Sequence, residues 1–207
     1  MSLDHAFYFV ATVLGVWCAT IRLAKGLTRA PRLSARILWI TAVVSVAFAL
    51  VPLGRFSLWR WLFSAHANPS VPLLGVLALY VLGAATGRSW FSRRDWRALW
   101  WVGAGLGTWL YLPVLGLAHY DAYAVHWEGR WIAAGATVLA MLLLLFGNRA
   151  GLLIVAALLG HLLGVLESVN LWDYLVDPFF WLLSLGGLLQ AAFTRTRSVE
   201  PAPRASL

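Results

Sequence analysis

The side chains that could do chemistry lie in two polar segments of an otherwise apolar sequence, near residues 119–128 and 161–173. Their imidazole, carboxylate, phenol and amide groups could bind a metal ion, transfer protons or hold a cationic ligand. On this basis we select as candidate ligand-binding residues His119, Asp121, Tyr123, His126, Glu128, His161, Glu167, Asn170 and Asp173.

A metal site is the most specific chemistry that these residue types permit. His119, Tyr123 and His126 would share one face if their segment were helical, and imidazole and carboxylate are ligands that zinc accepts. However, the sequence has no HExxH motif and no other dedicated ligand spacing. We therefore predict no metal site and no cofactor, and we assign no catalytic residue.

Two broader interpretations stay open for the same residues. In one, they line a pocket for a sugar, a polyamine or a head group, where the acids supply charge and aromatic rings supply flat faces; the rings would be those of Trp127, Trp131, Trp172 and Tyr174. In the other, which we prefer, there is no site. The acids and rings would then collect on one side of a membrane only because insertion and interfacial chemistry sort them there.

Glu167 and His161 are the most informative pair of candidates. Glu167 follows a run of sixteen residues that carries no acid and no Lys or Arg, so we expect it at a membrane boundary, where ionisable groups are costly and often functional. His161 would lie about 9 Å deeper along the same helix. Together they could relay protons or hold a cation.

The composition determines which elements must position these residues. Of the 207 residues, 61% are hydrophobic and only 12% are charged, about half the charged fraction of a soluble domain. The net charge of +8 comes from short basic clusters between apolar runs, which is atypical of nucleic-acid binding. Cys18 is the only cysteine, so no internal disulfide can form.

Seven apolar runs bounded by charge, Pro or Gly predict seven transmembrane helices. They form one predicted transmembrane domain, residues 1–193, followed by a tail, 194–207, that we expect to be disordered. The predicted spans are 7–24, 37–53, 69–86, 98–118, 131–147, 151–166 and 178–193. Several are near the short limit for crossing a bilayer.

The basic residues predict the orientation of these spans, because cytoplasmic loops hold most Lys and Arg. Most of the sixteen basic residues fall in alternate loops and the tail, whereas most of the acids fall in the other loops. The N-terminus is therefore predicted outside and the C-terminus inside. No basic segment precedes the first apolar run, so we expect that run to be retained as a span rather than cleaved as a signal peptide.

Local signals add detail about helix ends and packing. Asn68-Pro69 and Asp177-Pro178 each predict an N-cap followed by proline in the first turn. Glycines four positions apart predict close helix packing, as at Gly83/Gly87, Gly103/Gly107 and Gly160/Gly164. Between the second and third spans, Trp59, Leu62 and Phe63 form the apolar face of a predicted interfacial helix.

The sequence thus predicts an all-α, polytopic integral membrane helix bundle of a bacterial inner membrane. It has no phosphate-binding glycine loop, no GxSxG motif and no lysine in its last span for a retinal Schiff base. Membrane lipids, and other membrane or periplasmic proteins, are the expected partners, and nucleic acid is not. We expect a non-catalytic accessory, binding or transport-associated component of the cell envelope. The alternative is an intramembrane enzyme that uses His and carboxylate groups on a lipid-linked or periplasmic substrate.

Overall fold

The computed structural model describes residues 3–29, 32–65, 68–124 and 131–197. Within these residues the fold is all-α, as predicted, apart from one small hairpin that pairs Pro52 with Ser57 and Leu53 with Phe56. The elements in chain order are α1 (Leu3–Thr28), α2 (Ala35–Leu50), β1 (Pro52–Leu53), β2 (Phe56–Ser57), α3 (Leu58–Ala65), α4 (Val71–Thr86), α5 (Arg93–Val114), α6 (Trp131–Leu145), α7 (Ala150–Leu162), α8 (Leu171–Leu175) and α9 (Pro178–Arg197).

Each of the seven apolar runs lies on a helix, but several helix ends differ from the prediction. Helix α2 ends at Leu50 rather than at 53, where β1 follows, and α5 ends at Val114 rather than at 118. Helix α7 ends at Leu162 rather than at 166, because Gly164 adopts a φ of 60° and the Val165 N–H returns to the Gly160 carbonyl. This left-handed glycine is a typical helix stop. Helix α9 continues to Arg197, so residues 194–197 are helical and not disordered; residues 198–207 of the predicted tail lie outside the described residues.

Of the two predicted N-caps, Asp177 is confirmed and Asn68 is wrong. Asp177 caps α9, since its Oδ1 accepts hydrogen bonds from the N–H groups of Phe179 and Phe180 at 2.8 and 3.0 Å. At α4 the cap is Ser70, whose hydroxyl accepts from the Leu73 N–H, and Pro72 is the proline of the first turn. Asn68 instead accepts a hydrogen bond from the Tyr8 hydroxyl of α1 at 3.1 Å.

Helix α5 packs closely against α9 through glycine. A Cβ atom at Gly103 would collide with Ser184 and Phe180, and one at Gly107 would lie 2.4 Å from the Trp181 ring. The packing role predicted for this pair is therefore confirmed. The packing role predicted for Gly87 and Gly164 is wrong, because these glycines have positive φ values and end their helices.

The helix ends sort into two groups. At one end, which we call the acidic end, α1, α4 and α9 begin, and the loops after α5 and α7 join them. The contacts between Tyr8 and Asn68, between Trp172 and Ala122, and between Asp177 and Ser70 define it. Its described charged residues are Asp4, Arg55, Arg60, Asp121, Glu167, Asp173 and Asp177.

The opposite end, which we call the basic end, is held by Asp95 at the start of α5. Its carboxylate accepts hydrogen bonds from the backbone and hydroxyl of Ser92 and from the Arg149 N–H of the α6–α7 hairpin, at 2.7 to 2.8 Å. Arg149 in turn donates to the Trp90 carbonyl. The other charged residues here whose side chains the structure describes are Arg22, Lys25, Arg29, Arg32, Arg36, Arg88, Arg93, Arg94 and Arg97.

Helix α1 is, within the described residues, the one helix that is both long enough and apolar enough to cross a membrane by itself. Such a helix near an N-terminus fits a membrane span, and it also fits a signal sequence. Shorter apolar helices of 10–17 residues occupy α2, α4, α6 and α7 and most of α9.

Candidate functional site

Two loops of the acidic end are joined by side-chain hydrogen bonds. The Trp172 indole N–H of α8 donates to the Ala122 carbonyl at 3.0 Å, and the Tyr123 hydroxyl donates to Asp173. The two polar segments that the sequence singles out therefore meet in space. Tyr123 and Asp173 are the candidates that come into contact across the two segments.

Asp173 is the centre of this cluster. Its carboxylate accepts one hydrogen bond from the Tyr123 hydroxyl and another from the Ser168 hydroxyl, and its side chain is half-buried. Partial burial raises the pKa of the Tyr123 phenol, and the hydrogen bond to Asp173 and the negative charge of this carboxylate raise it further. Tyr123 therefore stays a neutral donor at physiological pH. Ser168 was not among the sequence candidates.

Asp121 shapes the loop that carries Tyr123. Its Oδ1 atom accepts hydrogen bonds from the N–H groups of Tyr123 and Ala124 at 2.9 and 3.0 Å. An aspartate that bonds to the backbone two and three residues onward stabilises a turn. Asp121 itself is exposed, so it also contributes charge to the surface beside Tyr123.

Asn170 positions the short helix α8. Its Oδ1 accepts from the Trp172 N–H at 3.0 Å, and its own backbone N–H donates to the Ser168 hydroxyl at 3.0 Å. The residue is 3% exposed, and its amide nitrogen Nδ2 has no hydrogen-bond partner among the described residues. Asn170 thus acts first as a helix cap, next to the carboxylate cluster.

Contrary to the prediction from the sequence, His161 and Glu167 do not lie on one helix. The chain reverses at Gly164, between them, so Glu167 lies in the loop after α7. The His161 ring instead packs edge-on against the ring of Tyr174, with centroids 5.1 Å apart. Glu167 has an exposed side chain, and its backbone N–H donates to the Tyr8 hydroxyl at 3.4 Å.

Tyr174 anchors the loop behind this surface. Its hydroxyl bonds to both the N–H and the carbonyl of Leu166 at 3.1 Å, and the residue is fully buried. Burial raises the pKa of Tyr174, the bond from Leu166 opposes this, and the charge of Asp173 adds to the rise. The role of Tyr174 is therefore to hold the loop, and its ring is not a ligand-facing surface.

The remaining candidates lie apart from the cluster or beyond the described residues. His119 is exposed. Its neighbour Tyr120 stacks on Trp109 with ring centroids 4.5 Å apart and donates to the Trp109 carbonyl. His126 and Glu128, like Trp127, fall outside the described residues.

The described histidines and acids do not assemble into a metal-binding group. Among these residues no cluster of three or more His, Cys, Asp or Glu side chains is close enough to hold an ion. At the start of α1, His5 Nδ1 lies 3.6 Å from Asp4 Oδ1. The described part of the site is a surface with carboxylates, and the Asp173 carboxylate accepts hydrogen bonds from two hydroxyl groups.

The chain matches no known protein family model, no curated protein and no solved structure. Its function must therefore be argued from its own residues.

Proposed function

We propose that this chain is a multi-pass protein of a bacterial inner membrane that binds a positively charged ligand at its acidic end. In this proposal the seven long helices cross the bilayer, with the N-terminus outside and the C-terminus inside. The protein acts as a non-catalytic accessory or transport-associated component of the cell envelope. The observation that carries the ligand class is the Asp173 carboxylate, which bridges two loops at a half-exposed position.

The exposed apolar surface supports the membrane placement. Large hydrophobic side chains on several helices are exposed by two thirds or more, and so much exposed apolar surface is unusual for a soluble monomer. Lipid would cover them. Examples are Trp39, Trp131, Leu145, Leu162 and Phe193, at 73, 78, 77, 79 and 69% exposure.

The separation of charge between the two ends supports the orientation. Cations gather where α1 and α4 end and α5 begins, and acids gather at the other end. Loops rich in Lys and Arg stay in the cytoplasm during insertion. The basic end would therefore face the cytoplasm, and the acidic end would face the periplasm.

The short helices set a condition on this placement. Helix α7 has 13 residues and rises only about 20 Å, against about 30 Å of hydrocarbon in a typical bilayer. A bundle that contains such helices needs nearly upright spans, a locally thinned bilayer or irregular turns at membrane depth. The turn at Gly164, where the Val165 N–H bonds to the Gly160 carbonyl, would be of this third kind.

The arrangement of acids supports a cationic ligand. Asp121 and Glu167 are exposed, Asp173 is half-buried, and Tyr123 lies between Asp121 and Asp173 in the hydrogen-bond network. A polyamine or a cationic head group would meet several of these carboxylates at once. Local negative potential concentrates such ligands.

The orientation is tested by labelling single cysteines in a Cys18→Ser background. An impermeant maleimide added to spheroplasts should label Asp121→Cys, and it should label Lys25→Cys and Arg93→Cys only after the membrane is opened. Labelling of positions 25 and 93 from opposite sides would refute the seven-span topology.

The ligand class is tested by calorimetry with spermidine on protein in nanodiscs of uncharged net composition. Asp173→Asn removes one partly exposed ion pair with spermidine, so it should weaken binding about fivefold. Asp95→Asn removes one carboxylate from the basic end, and it should bind spermidine within about twofold of wild type. Absence of spermidine binding, or equal affinity for wild type and Asp173→Asn, would refute the proposed ligand site.

A further inference from the structure

A cavity lies at the basic end, between the last turns of α1, the second half of α4 and the turn that leads into α5. Its volume is about 280 Å³. The polar and aromatic part of its wall is formed by Lys25, Tyr80, Arg88, Ser89, Trp90 and Trp96. The cavity therefore combines two cations with four groups that suit a membrane interface.

Further cations surround the wall of this cavity. Arg22 Cζ lies 5.3 Å and Lys25 Nζ lies 5.6 Å from the centroid of the Tyr80 ring, both within cation–π range. Arg32 is also close, because a Cβ added at Gly87 would lie 3.3 Å from its Cζ atom. Four basic residues thus converge on the cavity or its edge when Arg88 is included.

No carboxylate among the described residues neutralises these cations. Asp95, the described acid of this end, accepts its hydrogen bonds from Ser92 and from the Arg149 N–H. The described part of the chain contains no ion pair of a Lys or Arg with an acid. Within the described residues the cavity therefore has a positive potential, which favours an anionic occupant.

The inner wall of the cavity is apolar. Leu79, Gly83 and Ala84 of α4 form it together with the buried Phe91. It continues onto the exposed surface of α4 at Leu82, which is 45% exposed, and the ring of Trp90 is 48% exposed at the rim. An occupant that carries both a charged group and an apolar chain would match this wall better than a free ion.

We infer that this cavity binds the phosphate head group of an anionic phospholipid of the cytoplasmic leaflet, with Lys25 and Arg88 at the phosphate and an acyl chain along α4. The inference rests on the proposed membrane placement of the chain. Basic pockets between helices on the cytoplasmic side suit such head groups, and Trp90 and Tyr80 would lie at the level of the lipid carbonyls.

The experiment is native mass spectrometry of the full-length protein released from nanodiscs that contain phosphatidylglycerol and phosphatidylcholine with identical acyl chains. Wild type should retain phosphatidylglycerol about tenfold in preference to phosphatidylcholine. Lys25→Gln/Arg88→Gln should lose most of this preference. Arg36→Gln/Arg93→Gln removes two exposed cations of the same end that do not line the cavity, and it should keep the preference within about twofold of wild type.

Trp90→Ala provides a second variant, since this exposed ring contributes little to the interior and its loss should lower retention of phosphatidylglycerol without unfolding. Inorganic phosphate and a short-chain phosphatidylglycerol are compared as stabilisers in a thermal melt. Equal retention of the two lipids, equal losses in the two double variants, or stabilisation by inorganic phosphate equal to that by the lipid would each overturn the inference.

A separate measurement distinguishes this failure from failure of the membrane placement. Carbonate extraction of native membranes should leave the wild type in the pellet. Extraction into the supernatant would refute the proposed function itself. Retention in the pellet without selectivity for phosphatidylglycerol would refute only the lipid site.

Discussion

Asp177 Oδ2 accepts a hydrogen bond of 2.8 Å from the backbone N–H of Ser70, 107 positions earlier in the chain. Its other oxygen caps α9 through Phe179 and Phe180. One carboxylate that is 1% exposed therefore serves the first turns of two helices. Both helix N-termini carry partial positive charge, which makes them suitable neighbours for a buried carboxylate.

Asp177→Ala should be among the most destabilising single substitutions at the acidic end. It removes a helix cap and leaves the buried Ser70 N–H without its acceptor, which together cost about 2 to 4 kcal/mol. The melting temperature of the detergent-solubilised protein measures this loss. Asp121→Asn, at an exposed position where an amide oxygen can still accept the turn bonds, should change it little. Equal melting temperatures for Asp177→Ala and wild type would contradict the double-cap role.

The glycines of α5 give a prediction with an internal control. Gly103→Ala places a methyl group against Ser184 and Phe180, and overpacking of this kind costs about 1 to 3 kcal/mol. Gly105→Ala meets nothing within 4 Å on the same helix. It should be neutral or gain up to about 1 kcal/mol from helix propensity. Comparison of the two melting curves tests the close packing of α5 on α9, which equal shifts would refute.

Asp95 should make the basic end sensitive to acid. Burial acts to raise the pKa of this carboxyl, but the hydrogen bonds from Ser92 and from the Arg149 N–H outweigh it and hold the pKa below its ordinary value. The stabilisation is therefore present above the unfolded pKa of about 3.9 and is lost as pH falls through the lower folded pKa.

Thermal melts of wild type and Asp95→Asn between neutral and acidic pH check this dependence. The variant should melt lower than wild type at neutral pH, and the difference should shrink below about pH 4. A difference that stays constant across this range would show that Asp95 does not act through its charge.

Tyr123 should make the joined loops sensitive to alkali. Its pKa is raised by burial and by Asp173, so its contribution to stability is complete below the ordinary tyrosine value of about 10 and is lost as pH rises through the higher folded value. Tyr123→Phe removes the donor to Asp173. In a phenolate absorbance titration, the signal missing from Tyr123→Phe should belong to the most alkaline part of the wild-type curve.

Most of the helical framework could be predicted from the sequence, because apolar runs bounded by charge and proline are local features. The cap at Asp177 was readable for the same reason. The end of α7 was not, since a glycine four positions after another glycine is also the pattern of helix packing. Only the positive φ of Gly164, which the structure gives, distinguishes a glycine that ends a helix from one that packs against another helix. For the same reason, the prediction that His161 and Glu167 lie on one helix was wrong.

The candidate site was predictable in its residue types but not in its contacts. Tyr123 and Asp173 are 50 positions apart, and no spacing rule links two loops across that distance. Ser168 and Tyr8 were missed because a lone serine or tyrosine at the edge of an apolar run has no distinctive pattern. Asp95 did carry a signal, since Ser-x-x-Asp before an apolar run is a form of capping box.

The packing of α5 on α9 also has a consequence for synthesis of the protein. The surface of α5 around Gly103 and Gly107 is covered by side chains from Phe180 onward. The ribosome must therefore complete most of the chain before this surface can find its partner. Until then this surface stays uncovered, and a chain stopped ahead of Pro178 would lack the side chains against which Gly103 and Gly107 pack.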